Sequence, residues 1–291
     1  RDRDTVREML TVCVMSYGSL RIDSRKKDVR KVYQENGNLF RFAEYFKDTD
    51  ALLADTPDTA LIQVLRHLEP VVIVDESHNA ESKLSTEMLN NLNPSFVLDL
   101  TATPRKNSNI ISYVDARELK KEHMVKLPVV VYNRTTRQSV IQDAIQLRGS
   151  IEQEAIAAEA VGGKYIRPIV LFQAQPRTGD NSDTFDKIKA MLVGMGIPEN
   201  QIAVKTSDVD DLKGQNLMSR DCEIRYIITV NALKEGWDCP FAYILASLAN
   251  RTSQVDVEQI VGRILRLPYT RKHPVPALNM SYVLTSSADF K

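Results

Sequence analysis

The sequence predicts an α/β protein with two lobes, each built on a parallel β-sheet flanked by helices. Short apolar runs, among them TVCVM, VVIVD and FVLDL, alternate with helical or polar stretches up to about residue 115. Each run is followed by a turn, which is typical of buried parallel strands. A second alternating series begins near residue 166, and 291 residues are enough for two compact domains.

A strand, helix and strand follow one another in the first series. Between VVIVD and FVLDL, the segment ESKLSTEMLNNLNP carries Leu84, Met88, Leu89 and Leu92 at helical spacing and stops at Asn-Pro. Such an order implies a parallel crossover unit.

The boundaries of the lobes follow from breaks in this alternation. Residues 1–115 are predicted to form the first lobe, with a helical insertion at 21–60 that contains the basic run RKKDVRKVYQENGN. That run is either a solvated helix face or a nucleic-acid contact. Residues 116–165 predict a connecting strand and a long helix, and residues 166–291 form the second lobe.

The composition excludes several classes of protein. Lysine plus arginine equals aspartate plus glutamate at 38 each, so any nucleic-acid contact must be local rather than a global basic field. Cys13, Cys222 and Cys239 are far apart and suggest neither a disulfide framework nor a zinc site, which favours a reducing, cytoplasmic setting. No apolar run approaches the roughly 18 to 20 residues that span a bilayer.

Two adjacent carboxylates follow the run VVIVD. Asp75 would lie at the carboxyl end of a parallel strand, where such sheets bind ligands, and it is the hard oxygen ligand that Mg²⁺ prefers. Glu76 could then orient or deprotonate a water molecule. The alternative is that a strand simply ends in polar residues.

Two threonines follow the next strand. Thr101 and Thr103, in LDLTATP, would lie at the same sheet edge as Asp75, one crossover later. Threonines also cap turns before a proline. The pairing of DESH with TATP at this spacing favours the functional interpretation.

The second lobe contains TVNALKEGWD at residues 229–238. Thr229 ends a strand, Gly236 allows close approach of the backbone, and Asp238 could accept a hydrogen bond from a ribose or pair with an arginine. Trp237 is expected to pack in the core.

The last motif is EQIVGRILRLP at residues 258–268. On a helix, Gln259, Arg263 and Arg266 would share one face. The arginines are either solvated or arginine fingers, which stabilise charge on a transferring phosphoryl group.

In this order, DESH, TATP, TVNALKEGWD and QIVGRILR resemble motifs II, III, V and VI of superfamily 2 helicases and translocases. VYQENGN, LKEGWDCPFAYILASL and QIVGRILRLP look more narrowly like the helicase (Res) subunit of type III restriction-modification enzymes and related DEAD/DEAH-type proteins. The resemblance implies two RecA-like lobes, the first incomplete, with ATP hydrolysed in the cleft between them to drive movement on DNA.

The resemblance also implies roles for individual residues. Asp75 would hold Mg²⁺, Glu76 would activate water, and Arg263 and Arg266 would reach the ATP phosphates. Gly236, Asp238 and Gln259 would bind the nucleotide or link the lobes. The coupling residues would be Ser77, His78, Thr101 and Thr103, and the nucleic-acid contacts Thr229, Asn231, Ser16, Tyr17 and Gln173.

The chain departs from the family pattern in one respect. No GxxxxGK[ST] occurs, and VGGKY at residues 161–165 lacks both the first glycine and the hydroxyl residue. We therefore expect a longer protein with this phosphate-binding loop upstream and a nuclease domain downstream, and we expect this chain alone to be inactive.

Three functions remain open at this point. The leading hypothesis is an ATP-dependent DNA translocase that grips the phosphate backbone largely without regard to sequence, with target choice left to a DNA methyltransferase. The alternatives are a non-catalytic scaffold with a helicase-like fold and an RNA-directed helicase.

Overall fold

The computed structural model describes residues 3–20, 31–46, 52–75, 83–101, 109–175, 184–230, 237–248, 261–262 and 264–286. The chain divides into two compact units, Arg1–Ser112 and Tyr113–Lys291. No helix in these ranges has both the length and the apolar character that a membrane crossing requires.

The elements confirm the predicted α/β class with parallel sheets flanked by helices. The helices are α1 (Arg3–Glu8), α2 (Tyr17–Leu20), α3 (Phe40–Ala43), α4 (Leu61–His67), α5 (Lys83–Asn91), α6 (Ala116–Lys121), α7 (Arg137–Ala160) and α8 (Phe185–Gly194). The strands are β1 (Val71–Asp75), β2 (Phe96–Leu100), β3 (Val129–Asn133), β4 (Ile169–Gln173), β5 (Ile202–Lys205), β6 (Tyr226–Thr229), β7 (Ala242–Ser247) and β8 (Ser281–Thr285).

The first unit contains the predicted strand, helix and strand. β1 and β2 pair in parallel, from Val71 opposite Phe96 to Asp75 opposite Leu100. Helix α5 lies in the connection between them, and Met88 belongs to a buried cluster against which Val72 of β1 packs.

The prediction that TVCVM forms a buried strand is wrong. Residues 11–15 have no regular secondary structure, and Val12 and Val14 are 73% and 95% exposed. A strand is stable only when a neighbouring strand accepts its backbone hydrogen bonds. In the described part of the first unit the sheet consists of β1 and β2, and neither pairs with this run.

Burial of β1 and β2 is also lower than predicted. Side chains alternate between the two faces of a strand, and Val74 is buried while Val71 and Ile73 are 64% and 62% exposed. On β2, Phe96 and Leu100 are likewise exposed. One face of this sheet therefore packs on the unit's interior and the other faces solvent.

The segment predicted as a helical insertion is only partly described. Within it, 3-10 turns surround the short helix α3, and Phe42 and Phe46 pack with Val64 of α4. Residues 21–30 and 47–51 lie outside the described ranges, and they include residues 25–30, the first six of the fourteen residues in the basic run.

The second unit is built on a six-stranded sheet with the order β3-β8-β7-β4-β6-β5, and every neighbouring pair is parallel. Strands β4 to β8 and helix α8 occupy the segments where the sequence predicts them. Ile169–Phe172 and most of β7 are fully buried, because helices and loops cover both faces.

Residues 116–165, for which the sequence predicts a connection, form α6, β3 and α7 of this second unit. β3 is an edge strand of the large sheet, and α7 packs against β4, β7 and β8. Helix α7 ends at Ala160, and Gly162 in the turn that follows has a φ of +94°. The N–H of Gly163 donates to Ala158 O at 2.9 Å, so the glycines of VGGKY cap a helix.

Candidate functional site

The carboxyl edge of the first sheet brings together two of the predicted site residues. Asp75 is the last residue of β1, and Thr101 comes directly after β2. Asp75 is the register partner of Leu100, the residue before Thr101, so Asp75 and Thr101 lie close together at this edge. Asp75 is exposed and Thr101 is half-buried. Glu76, Ser77, His78 and Thr103 lie outside the described residues.

The Asp75 carboxylate is suited to magnesium. It is an accessible hard oxygen donor at a strand end, and Mg²⁺ bound with a nucleotide commonly takes one or two protein carboxylates beside phosphate and water. Of the predicted metal-site residues, Asp75 is the one that the structure describes, and its chemistry is of the kind that Mg²⁺ takes.

Ser16 and Tyr17 lie at the start of α2 in the same unit. Ser16 is exposed, and its carbonyl oxygen accepts hydrogen bonds from Ser19 N at 3.0 Å and Ser19 Oγ at 2.6 Å. These bonds hold a turn at the position where the sequence predicts a nucleic-acid contact.

A row of polar residues marks the carboxyl edge of the large sheet. The last paired residue of each of its six strands is polar, and all six lie on one line of register. Across the sheet they are Asn133, Thr285, Ser247, Gln173, Thr229 and Lys205. We call these residues the polar row.

The polar row places Gln173 beside Thr229, two residues predicted to contact nucleic acid. Gln173 Oε1 accepts a hydrogen bond from Ser247 Oγ at 3.0 Å, which orients the amide. The side chains of Gln173 and Thr229 are buried, with 3% and 2% exposure. A ligand could therefore contact them directly only if neighbouring segments of the protein moved. Asn231 lies outside the described residues.

Thr229 has an unusual environment. Its hydroxyl is buried and has no hydrogen-bond partner among the described residues. A buried polar group that lacks a partner costs about 1–3 kcal/mol. A ligand group that formed a hydrogen bond with the Thr229 hydroxyl would therefore remove this cost.

An ion pair lies at the opposite, amino edge of the same sheet. Arg266 Nη1 lies 2.5 Å from Asp238 Oδ2, and the two side chains are 53% and 48% exposed. Asp238 precedes β7, which begins at Ala242. Because a strand rises about 3.3 Å per residue, the six-residue strand β7 extends roughly 16 Å from Ala242, near this pair, to Ser247 in the polar row.

The prediction that a helix continues through Arg266 is wrong. Residues 261, 262 and 264 are helical, but Arg266 lies beyond them in an isolated antiparallel bridge with Val125. Leu267 N donates to Met124 O at 2.9 Å, so the backbone there bonds to another segment instead of to a preceding turn. Pro268 follows and lacks the N–H that a helix would use. Arg266 therefore does not share a helix face with Gln259 and Arg263.

Three predicted residues of this region, Gly236, Gln259 and Arg263, lie outside the described residues. The expectation that Trp237 packs in the protein is confirmed, because it lies against the main hydrophobic core.

Sequence reasoning missed Lys126. Its side chain is fully buried, and Nζ donates to Pro240 O and Ala242 O at 2.8 Å each. Nζ also lies 4.1 Å from the ring centroid of Tyr243. Burial lowers the pKa of Lys126 to about 7, against the opposing effect of Cys239 and Asp238. A lysine between Val125 and Leu127, in an otherwise apolar run, was the available signal.

The comparison with protein families matches residues 7–106 to the family described as the type III restriction enzyme res subunit. This segment contains Asp75 and Thr101. Over residues 7–106 the chain therefore resembles the Res subunits of type III restriction enzymes. A comparison with curated proteins gives no significant match.

Several solved structures are similar at low identity. One is a fragment described as an HsdR subunit of a type I restriction enzyme from Vibrio vulnificus YJ016, with 17% identity and a TM-score of 0.48 over 84% of this chain and 51% of that one. Another is S. cerevisiae Dbp5 bound to RNA and ADP BeF3, with 13% identity, a TM-score of 0.42, and coverage of 79% and 57%. A third is the ATP-dependent type ISP restriction-modification enzyme LlaBIII bound to DNA, with 16% identity, a TM-score of 0.41, and coverage of 79% and 20%. The chain thus spans about half the length of the first two.

Proposed function

We propose that this chain is the motor part of an ATP-dependent DNA translocase, of the kind that works in type III restriction enzymes. One observation carries most of this proposal. The second unit has two separate polar sites, the polar row at the carboxyl edge of its sheet and the Asp238–Arg266 pair at the amino edge. A translocase needs such a separation, since one site must hold nucleic acid while another responds to a nucleotide.

Residues of the first unit and residues of the second unit would each contribute to nucleotide binding and hydrolysis. Asp75 would hold Mg²⁺ and Glu76 would activate the attacking water, while Arg263 and Arg266 would contact phosphate and Gly236, Asp238 and Gln259 the rest of the nucleotide. Magnesium, when bound to ATP, neutralises charge on the phosphates. Arg266 is half-exposed, so a phosphate can compete with Asp238 for its guanidinium group.

The nucleic acid would be held mainly through its backbone. Hydroxyl and amide groups of the polar row are donors that suit phosphate oxygens, and a chain with no net charge cannot rely on a broad basic surface. Thr229, Asn231 and Gln173 would take part from the second unit, and Ser16 and Tyr17 from the first. Such contacts carry no sequence information, so a DNA methyltransferase partner would select the target.

Coupling between the two sites would involve residues that follow β1 and β2. Ser77, His78, Thr101 and Thr103 would respond to the state of the nucleotide. Thr101 supports this role because it lies at the same edge as Asp75.

The proposal is tested by binding of labelled nucleic acids to the 291-residue chain, measured by fluorescence anisotropy. Single-stranded DNAs of equal length and different sequence should bind with affinities within a few-fold of each other, and binding should weaken as salt rises. RNA of the same sequence should bind more weakly than DNA. Absence of binding to any nucleic acid contradicts the proposal, and a preference for RNA supports an RNA-directed helicase instead.

A second arm tests catalysis in a form of the protein that contains a phosphate-binding loop. DNA should stimulate its ATPase activity, and Glu76→Gln should abolish the activity while DNA binding persists. A protein that bound DNA but hydrolysed no ATP would be a scaffold.

A further inference from the structure

Two segments carry predicted nucleotide contacts, one around Asp238 and one around Arg266, and a third segment is hydrogen-bonded to both. Residues 124–126, which we call the clamp segment, form an antiparallel bridge with residues 265–267, the Arg266 segment. Lys126 N donates to Leu265 O, and Leu267 N donates to Met124 O at 2.9 Å. Val125 and Arg266 are bridge partners between these two bonds. The backbone of the clamp segment therefore fixes the position of Arg266.

The first residue of β8 adds to this connection. Ser281 Oγ lies 3.3 Å from Lys126 O and 3.0 Å from Ile264 O, and the serine is fully buried. Both segments are thereby anchored to the amino edge of the large sheet.

The Lys126 side chain reaches a different part of the chain, residues 238–242, which we call the Asp238 loop. Its ammonium group donates to the carbonyl oxygens of Pro240 and Ala242. Asp238 lies two residues before Pro240. Lys126 thus holds the Asp238 loop with its side chain and the Arg266 segment with its backbone.

Stability alone does not require a lysine here. A methionine would fill a similar volume without removing an amine from water, and replacing buried charged groups by apolar ones is often neutral or stabilising. The retained amine makes two specific bonds, which an apolar side chain cannot reproduce. A neutral amine still has two N–H groups, so both carbonyl bonds survive deprotonation.

We propose that Lys126 is a positioning residue that fixes the Asp238 loop against the Arg266 segment, so that the Asp238 and Arg266 side chains meet in one site. This inference rests on the proposed function only for the meaning of that site, which would be contact with a nucleotide. Lys126 itself acts through the loop and does not touch the ligand.

The thiol of Cys239 provides a local test, because it lies next to Asp238 and is fully buried. In the 291-residue chain, Cys13→Ser and Cys222→Ala leave Cys239 as the single thiol. The rate of its reaction with a thiol reagent then reports opening of the Asp238 loop. Loss of the Lys126 charge would by itself raise the pKa of this thiol and slow the reaction. Faster labelling therefore reports exposure.

The comparison is between Lys126→Met and Arg148→Met in this background. Arg148 is also buried, and it donates to Tyr226 Oη at 2.9 Å and pairs with Glu152, away from the Asp238 loop. At matched loss of global stability, measured by urea unfolding, Lys126→Met should label about tenfold or more faster than Arg148→Met. Equal labelling rates would overturn the proposal. If Lys126→Met does not fold, Lys126→Gln replaces it, because glutamine keeps one donor group. The Cys239 thiol in Lys126→Gln should react faster than in the parent and more slowly than expected for Lys126→Met. A labelling rate equal to that of the parent would overturn the proposal.

A second measurement separates positioning from general stabilisation. If the parent binds a fluorescent ATP analogue, Lys126→Met should weaken binding as much as Asp238→Asn does, while Arg148→Met should not. Faster labelling with unchanged nucleotide affinity would overturn the positioning role. Because the 291-residue chain has no GxxxxGK[ST] loop, a parent chain that bound no nucleotide would be compatible with the proposed function, and the labelling ratio alone would then decide whether Lys126 fixes the loop.

Discussion

Arg266 and Asp238 form an ion pair across 28 residues of sequence, with Arg266 Nη1 2.5 Å from Asp238 Oδ2. The sequence suggested that Asp238 could accept from a ribose or pair with an arginine, and the structure shows the arginine pair. Both side chains are about half-exposed. An exposed pair contributes only about 0–1 kcal/mol to stability, so an anionic ligand could displace Asp238 at little cost.

The first prediction concerns Arg266→Ala in a form of the protein that hydrolyses ATP. Arginine fingers contribute roughly 10³- to 10⁵-fold to turnover, so ATPase activity should fall by about this factor while much of the ATP affinity remains. Steady-state hydrolysis and binding of a fluorescent nucleotide measure the two effects. The free energy of unfolding should change by less than about 1 kcal/mol.

The matched control for that variant is Arg220→Ala. Arg220, whose side chain is 65% exposed, also forms an ion pair, with Glu159 near the end of α7. Its loss should leave turnover unchanged. If Arg266→Ala also kept normal turnover, Arg266 would not act as an arginine finger.

The second prediction concerns the hydroxyl of Thr229, which has no hydrogen-bond partner among the described residues. Thr229→Val keeps the branched shape and removes a buried polar group, so the free energy of unfolding should stay unchanged or rise by about 1–3 kcal/mol. Affinity for single-stranded DNA should instead fall by roughly 2- to 10-fold, the value of one hydrogen bond. Urea unfolding and fluorescence anisotropy measure these two quantities.

Tyr282→Phe is the control for Thr229→Val. It removes a hydroxyl that donates to Ala277 O at 3.0 Å, away from the polar row. Stability should fall by about 0.5–1.5 kcal/mol with no change in DNA affinity. Parent-like DNA binding by Thr229→Val would remove Thr229 from the proposed nucleic-acid contacts.

The strands of the second unit were predictable because each is a short apolar run that ends in a polar residue. Gln173, Thr229 and Ser247 all occupy that last position, and the parallel register brings them to one line. The polar row could therefore have been found in the sequence by comparing the ends of successive runs.

Other features depend on contacts that no local pattern encodes. TVCVM has the composition of a strand, but a strand also needs a partner, and the composition does not provide one. Arg266 has helical spacing to Arg263, but bonds to the clamp segment, more than a hundred residues earlier, replace the helical ones. Long-range pairing overrode local preference in both cases.

The burial of Lys126 and Arg167 was equally hidden. Both side chains are almost fully buried, and both bond to backbone carbonyl oxygens of distant loops. Charged residues are almost never fully buried unless they are paired, and their acceptors here come from the tertiary fold.

The third prediction is that the 291-residue chain shows no DNA-stimulated ATPase activity. No GxxxxGK[ST] occurs in its sequence, so it lacks the loop whose backbone N–H groups would hold the β- and γ-phosphates. A phosphate-release assay with and without single-stranded DNA measures this. The result would contradict the prediction if turnover were present and disappeared in Glu76→Gln, because the chain would then hold the phosphates in another way.

The last prediction concerns the pH dependence of stability through Lys126. Burial lowers the pKa of this lysine from 10.5 to about 7, so between these two values the unfolded chain binds more protons than the folded chain. Stability must rise with pH wherever the unfolded state binds more protons. The free energy of unfolding of the parent, relative to Lys126→Met, should therefore be constant below about pH 7 and increase from pH 7 toward pH 10.5. At about 1.4 kcal/mol per pKa unit, the increase should reach several kcal/mol, and urea unfolding at pH 6, 7, 8 and 9 would follow about half of it.

The groups that face the Lys126 ammonium are Cys239, Asp238 and the ring of Tyr243. Burial raises the pKa of the Cys239 thiol to about 11, so this thiol stays protonated over the pH range of the measurement. A difference between parent and Lys126→Met that stayed flat from pH 6 to pH 9 would mean that Lys126 remains charged in the folded protein, with its two carbonyl bonds and the Tyr243 ring compensating for burial.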